Sequence, residues 1–413
     1  MDGIYSGYTD FQFFVSDGFG LLTLAFWGIS RFLHRQKLSK GPIFLTIPII
    51  GLTLLALLSA PGSLDPGLSI YHGLRLILLA LLYLYVLNEI THLHQVVFPL
   101  VVQILIQSVI AIGQIFNQRS LGLSVIGEVE LEPLWPGISI VLSEARLSLR
   151  AYGLSDHPNI LGGSLAFSLL LIIAWYIQKN KLRRAAWVAI MILGSVALFL
   201  TYSRSAWLAF LAGSIATALL LYRKKLNKSL RRWLFITLTL SIALLPILWM
   251  NADFLAARLG LKNSFRLLRT ESTSLYQREV LFRAAAEVFI ENSISGVGLG
   301  TMPQAIQLNN PQFRFFSQPA HFALLDVAGE IGLLGAFFYA VILIGPWLRL
   351  GLNSRVVLSK DLIATSAVLL AITVVGLFDY YPWLLAPGRL WQWIIWGLWA
   401  RTYLDSQRGQ SIV

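Results

Sequence analysis

Cysteine is absent from all 413 residues. That excludes disulfides, Fe–S clusters and thiol nucleophiles. Charge is scarce: Asp, Glu, Lys and Arg make up 13% of the chain, against about 25% in ordinary soluble domains. The N-terminus carries Asp2, Asp10 and Asp17 rather than a basic cluster, so it does not read as a cleavable signal peptide. The ten-residue alternating segments of an outer-membrane barrel are missing. No Walker motif, Ser-His-Asp signature or metal-ligand cluster occurs, and no cofactor is expected.

What is present is apolar. Hydrophobic residues make up 56% of the chain, with 13 Trp, 14 Tyr and 24 Phe. Runs of roughly 18–20 residues with few charges match the roughly 30 Å hydrocarbon core at 1.5 Å per residue. Backbone groups in lipid must bond internally, so these runs read as helices. Eleven spans are expected, near 14–33, 42–60, 67–88, 96–116, 160–178, 185–202, 204–222, 233–250, 322–346, 362–378 and 390–404. The fold class is therefore an all-α polytopic transmembrane bundle, a single integral-membrane domain over 1–413.

Basic residues orient it. Arg31, Arg35, Lys37 and Lys40 fill the first short loop. Lys179, Lys181, Arg183 and Arg184 fill another, Arg223 to Arg232 a third, and Arg349, Arg355 and Lys360 a fourth; Arg401 and Arg408 follow the last span. Nineteen of the 32 Lys and Arg thus fall on one side, which reads as cytoplasmic. This puts the N-terminus outside and the C-terminus inside. The net charge of +12 belongs to a membrane topology, not to nucleic-acid binding. Two segments are long external loops: 117–159, and 251–321 with an amphipathic helix at 275–291.

Twelve basic residues break the rule by lying outside: Arg119, Arg146, Arg150, Arg204, Arg258, Lys262, Arg266, Arg269, Arg278, Arg283, Arg314 and Arg389. Eleven are Arg, whose planar fork suits phosphate oxygens and stays charged when partly desolvated. The plainer use is pairing with external Glu or lipid headgroups. Arg204 stands out in Thr201-Tyr202-Ser203-Arg204-Ser205-Ala206-Trp207-Leu208. There a near-loopless turn directs it along the bundle, and Ser203 or Ser205 can cap the next helix. His321, in Pro319-Ala320-His321, opens a span at the outer interface, where an imidazole can take a proton from a hydroxyl. Its nearest acid, Asp326, lies five residues on, about 140° round a helix. His157 lies in Ser155-Asp156-His157-Pro158-Asn159, where Ser155 or Asp156 is expected to cap the next span.

Arg75, Asp326 and Glu330 are intramembrane charges and need partners. Arg75 and Glu330 both fall roughly 12–14 Å deep, so the expectation is an Arg75–Glu330 pair assisted by Asp326. Gly296-Val297-Gly298-Leu299-Gly300 does not complete a dinucleotide motif; its use is chain reversal.

The stretch from Thr201 to Leu208, the Gly296–Gly300 run, and His321 with Glu330, Gly332 and Gly335 resemble the O-antigen ligase/polymerase family. His157-Pro158-Asn159 with Gly162, and Asp379-Tyr380 with Gly388, are also similar to it. The likeness runs from about residue 150 to 395. It implies a GT-C-like, metal-independent, inverting glycosyltransferase in the bacterial cytoplasmic membrane. Such an enzyme moves a glycan from an undecaprenyl-pyrophosphate carrier to an acceptor hydroxyl, on lipid A-core for a ligase or on another carrier-linked glycan for a polymerase. By resemblance, Arg204 and Arg278 bind pyrophosphate and His321 is the base, with His157, Asn159, Arg283 and Asp379 in support. The chain departs from the family at Phe322, where a small polar residue is expected, and in having eleven spans where its ligases often have twelve. A reading of a different class is a transporter or flippase of a lipid-linked glycan, which would place its charges near the midplane and show pseudo-symmetric halves.

Overall fold

The computed structural model describes residues 8, 10–143, 146–178, 184–261, 265–310, 318–352 and 356–408. Lys179, Lys181, Arg183, Lys262, Arg314 and Arg355 lie outside these. So do the side chains of Arg184, Arg266 and Arg269.

The chain is almost wholly helical. In order come α1 (Val15–Leu33), α2 (Ile43–Leu58), α3 (Pro66–Glu89) and α4 (His94–Asn117), then a hairpin of β1 (Ile140–Leu142) and β2 (Leu147–Leu149). Next are α5 (Pro158–Tyr176), α6 (Arg184–Leu200), α7 (Arg204–Arg223), α8 (Asn227–Met250), α9 (Ala252–Arg258), α10 (Phe265–Glu291) and α11 (Met302–Asn309). Last come α12 (Ala323–Leu352), α13 (Lys360–Gly376), α14 (Tyr381–Leu384) and α15 (Ala386–Arg408). Each of the eleven expected span positions is helical. Among the described residues, seven helices are long and apolar enough to cross a membrane: those built on α2, α3, α4, α5, α7, α8 and α12. The other four fall short for local reasons. α6 and α13 have 17 residues each. α1 carries Asp17 and Arg31, and α15 carries Arg389, Arg401, Asp405 and Arg408.

Two compact units arise. The first comprises Met1–Thr91, Gln277–Val357 and Gly376–Val413; the second comprises His92–Tyr276 and Leu358–Val375. In the first, α2 packs on α12 and α3 on α15. Its core is aromatic, with Trp383, Trp393, Trp396, Trp399, Tyr83 and Tyr339 all buried. α1 has no buried residue and is pinned to α3 at both ends. Arg75 donates to both oxygens of Asp17 at 2.8 and 2.9 Å. Arg31 meets Glu89 at 2.5 Å, beside the Trp27 Nε1–H bond to the same oxygen. Fourteen residues separate Asp17 from Arg31, and fourteen separate Arg75 from Glu89. Both are about 21 Å along a helix, so the two pins match in register. An unpaired charge at the centre of a spanning helix costs about 3 kcal/mol; pairing removes that penalty and ties α1 in place.

This corrects the Arg75–Glu330 expectation. The partner of Arg75 is Asp17, which lies near the start of α1 and reads from the sequence only as a flaw in a weak span.

α12 is not continuous. Ile331 (φ −129°, ψ 17°) and Gly332 (φ 76°, ψ 179°) break it. The break frees backbone groups, and the glycine run fills it. Val297 N–H donates to the Gly329 carbonyl and Gly298 N–H to that of Glu330, each at 2.9 Å, while Leu333 N–H donates to Ser293 at 2.8 Å. Gly296, Gly298 and Gly300 all have positive φ. A Cβ on Gly298 would sit 1.9 Å from Ser63 Oγ, and one on Gly300 would sit 2.2 Å from the His72 ring. The run is thus the expected chain reversal, built so that backbone packs directly on backbone.

In the second unit, α5 is buried along its whole length except Tyr176, with α4, α6, α7 and α8 around it. Its apolar residues follow no stripe, as suits a helix covered on all sides. Gly162 lets Ala206 and Thr201 approach; a Cβ there would meet them at 2.9 and 3.0 Å. The loop 117–159 is organised by Glu128 and Gln114. Glu128 accepts from Gln114 Nε2 at 2.9 Å and from the Leu121 and Leu123 amides at 2.7 Å each. Burial opposes its ionisation, but these bonds outweigh that and hold its pKa below the usual carboxylate value.

Candidate functional site

His321 lies just before the start of α12, in the first unit. The backbone there is fixed by Asp326, whose Oδ1 accepts the Ala320 N–H at 2.9 Å. The imidazole meets the Tyr380 ring edge-on, with centroids 5.1 Å apart and planes at 80°. Tyr380 is held in turn by a hydroxyl–hydroxyl bond to Tyr8. Burial is the main influence on the ring and pushes its pKa down to about 4; Asp379 opposes this and Arg278 adds to it. His321 is therefore neutral at pH 7, with a cation and a carboxylate close enough to be felt.

The surroundings are unsaturated. Among the described residues, His321 Nδ1, Asp326 Oδ2 and Tyr381 Oη are buried with no hydrogen-bond partner. Leaving such an atom unpaired costs about 1–3 kcal/mol, and groups of them occur where a ligand or water completes the network. Asp379 is 4% exposed and accepts from the Tyr380 N–H at 3.0 Å.

Behind this centre lies a second polar layer. Glu330 accepts from Trp383 Nε1 at 2.8 Å and faces the Gly300 and Met302 amides. Arg389 donates from Nε to the Trp383 carbonyl, places Nη1 3.2 Å from His72 Nδ1, and stacks over the Trp383 ring. Glu330 thus anchors the glycine run and α14. His72 and Trp383 carry no local motif and escape sequence reasoning. Arg389 is visible in the sequence only as one of many external arginines.

Arg278 lies on α10, whose buried face is Leu281, Ala284, Ala285 and Val288. That is the amphipathic helix expected over 275–291. Arg283 lies on its exposed side and bonds Glu279 at 2.5 Å, an ordinary one-turn surface pair.

The remaining candidates belong to the second unit. Arg204 is the first residue of α7, capped by Ser203, whose hydroxyl accepts from the Ala206 N–H. Its Nη1 donates to the Arg258 carbonyl at 3.3 Å, and Arg258 Nε donates to the Tyr202 carbonyl at 3.1 Å. Tyr202 takes a left-handed φ of 48° to make the tight turn. Arg150 joins the same turn, giving Nε to the Thr201 carbonyl and Nη2 to Asn159 Oδ1, each at 2.7 Å. The helix cap expected at Ser155 or Asp156 is His157 itself. Its Nδ1 accepts from the Asn159 N–H at 3.1 Å, and its Nε2 bonds Ser139 at 3.0 Å.

Residues 189–340 match the family model described as O-antigen ligase. The matched segment runs from α6 into the second half of α12. It includes Arg204, Arg278, His321, Glu330, Gly332 and Gly335, and leaves Asp379 and Arg389 outside. No curated protein matches the chain. The matched segment takes in α7, α8 and part of α12, three of the helices long and apolar enough to cross a membrane.

Proposed function

We propose that the protein transfers a glycan from undecaprenyl pyrophosphate to an acceptor hydroxyl outside the cytoplasmic membrane, in the manner of a ligase. The observation that carries this reading is His321: an imidazole just before α12 with a buried Nδ1 that has no partner among the described residues, within electrostatic reach of Arg278 and Asp379. The acceptor O–H attacks the anomeric carbon, its proton passes to His321, and the C–O bond to pyrophosphate breaks as the new glycosidic bond forms. One displacement inverts the anomeric centre. Pyrophosphate leaves readily, so the task is to place it, offset its charge and align the acceptor. Arg278 supplies the positive charge near His321, and Arg204, in the second unit, is assigned to phosphate by family resemblance alone. An anion bound beside His321 raises the basicity that burial lowers. Asp379 stabilises the imidazolium once it forms.

The polymerase is the second reading within the class. It differs only in the acceptor, which is another carrier-linked glycan. The broken α12 invites comparison with a transporter, whose interrupted helices hold ions or substrate. Here the carbonyls of Gly329 and Glu330 at the break already bond Val297 and Gly298, so the break holds a re-entrant turn of the chain itself.

Transfer in vitro from a defined carrier-linked glycan tests the proposal, with and without a chelator. The expected result is an inverted linkage, insensitivity to chelation, and loss of transfer in Arg278→Ala and Arg204→Ala. A longer carrier-linked chain as product selects the polymerase. Absence of transfer to any hydroxyl acceptor, with transport of the intact carrier-linked glycan instead, overturns the assignment.

A further inference from the structure

The first unit holds a groove of about 980 Å³ lined by the start of α2, the second half of α12 and the end of α15. It lies at the opposite end of α12 from His321. Its walls are apolar, and several are open to the surroundings: Ile47 and Phe337 are each 58% exposed, and Leu348 is 55% exposed. α2 and α12 are long and apolar enough to cross a membrane, so the groove opens on hydrocarbon rather than water. Gly345 forms part of its floor, where a Cβ would meet nothing closer than Phe44 at 3.6 Å.

One end of the groove is cationic. Arg349 Nε donates to Tyr403 Oη at 3.2 Å, and the guanidinium stacks on Phe44 with its carbon 5.8 Å from the ring centre. These contacts fix the plane of the fork but supply no negative charge. No carboxylate lies within ion-pair distance of Arg349 among the described residues, whereas Arg31 is answered by Glu89 and Arg401 by Asp405. The neighbouring loop adds Lys37 and Lys40.

We propose that this groove binds an anionic phospholipid of the leaflet marked by the basic loops. One acyl chain lies along Ile47, Phe338 and Val341, and the phosphodiester sits on Arg349. Charge complementarity selects this occupant. A planar guanidinium held by two aromatic side chains can bond two phosphate oxygens, and basic pockets between helices on the cytoplasmic side recognise anionic headgroups. A zwitterionic lipid brings an ammonium into a site that is already positive. A free anion gains nothing from the apolar walls.

The test uses the full-length protein, delipidated in detergent and supplied with phosphatidylglycerol, phosphatidylcholine or inorganic phosphate. Lipid retention is read by native mass spectrometry and thermal unfolding is followed in parallel. The expected result is phosphatidylglycerol held about tenfold more tightly than phosphatidylcholine, with no response to phosphate. Arg349→Gln brings phosphatidylglycerol down to the phosphatidylcholine level. Gly345→Leu, which fills the floor, lowers retention of both lipids. Arg401→Gln, at the same end but paired with Asp405 in the wild type, keeps the preference. Equal retention of the two lipids by wild type, or an unchanged preference in Arg349→Gln, overturns the proposal; so does an equal response to phosphate alone, which makes the groove a simple anion site.

Discussion

His157 and His321 read almost alike in the sequence. Each stands at the start of an apolar helix with a proline nearby. Their surroundings separate them. Both nitrogens of His157 are engaged, one by the Asn159 amide and one by Ser139, and its neighbours Asn159 and Arg150 are bonded to each other. His321 has a buried Nδ1 without a partner among the described residues. A histidine whose hydrogen bonds are all spent is a structural element. One kept neutral beside an arginine and a carboxylate, with a nitrogen still to bond, retains the capacity for chemistry. The contrast also shows why a histidine near a helix start is ambiguous until its partners are known.

The largest effect that sharpens this contrast is expected at His321. His321→Ala lowers kcat for transfer by roughly 10²–10⁴-fold, the range of a lost general base, with little change in thermal stability. His157→Ala leaves kcat within a few-fold. Equal loss of kcat in both variants would erase the distinction.

Next in size is Arg150→Ala. It leaves Asn159 Oδ1 and the Thr201 carbonyl without their buried donor and costs about 1–3 kcal/mol of stability, read from denaturation in detergent. His157→Ala ranks below it, at about 1 kcal/mol, because it removes one helix cap.

The pH dependence is subtler. His321 is the base only when neutral, and its pKa is pushed down to about 4. The acid limb of kcat/KM is therefore expected near pH 4 rather than 6.5. The same shift links to stability. The unfolded chain protonates this histidine at about 6.5 and the folded chain only near 4, so the unfolded state binds more protons between those values. The stability contribution is full above pH 6.5 and falls as pH drops towards 4. An acid limb that stays at the same pH in His321→Gln residual activity assigns it to another group.

A second contrast concerns how helices are held. α1 and α5 have 19 residues each. α5 is buried on every side by packing. α1 buries no residue and depends on its two matched ion pairs with α3. Asp17→Asn is expected to loosen α1 and expose its start to proteolysis in nanodiscs, while Gly162→Ala acts through the crowded α5–α7 contact and lowers the unfolding temperature by a few degrees.

The positions of the helices were legible because hydrophobic runs and charged loops are local and solvent-driven. Eleven helical positions, the amphipathic stretch of α10 and the glycine reversal all follow from residue order. So does the candidacy of His321, one of six histidines in so apolar a chain. Pairings were not legible. Arg75 and Glu330 fall at matching depth, yet depth fixes only one coordinate, and which helices are neighbours fixes the other. Arg75 turned to Asp17 because α1 packs on α3. Glu330 turned to Trp383 and the glycine run because α12 breaks beside them. The sequence by itself determined a multi-pass helical membrane protein, its resemblance to O-antigen ligases and a short list of polar residues. Only the tertiary structure decided which of those residues are spent on holding the fold and which keep unsatisfied bonds. A polar atom's role depends on what lies within about 3 Å of it, and in a helical bundle those neighbours come from distant parts of the chain.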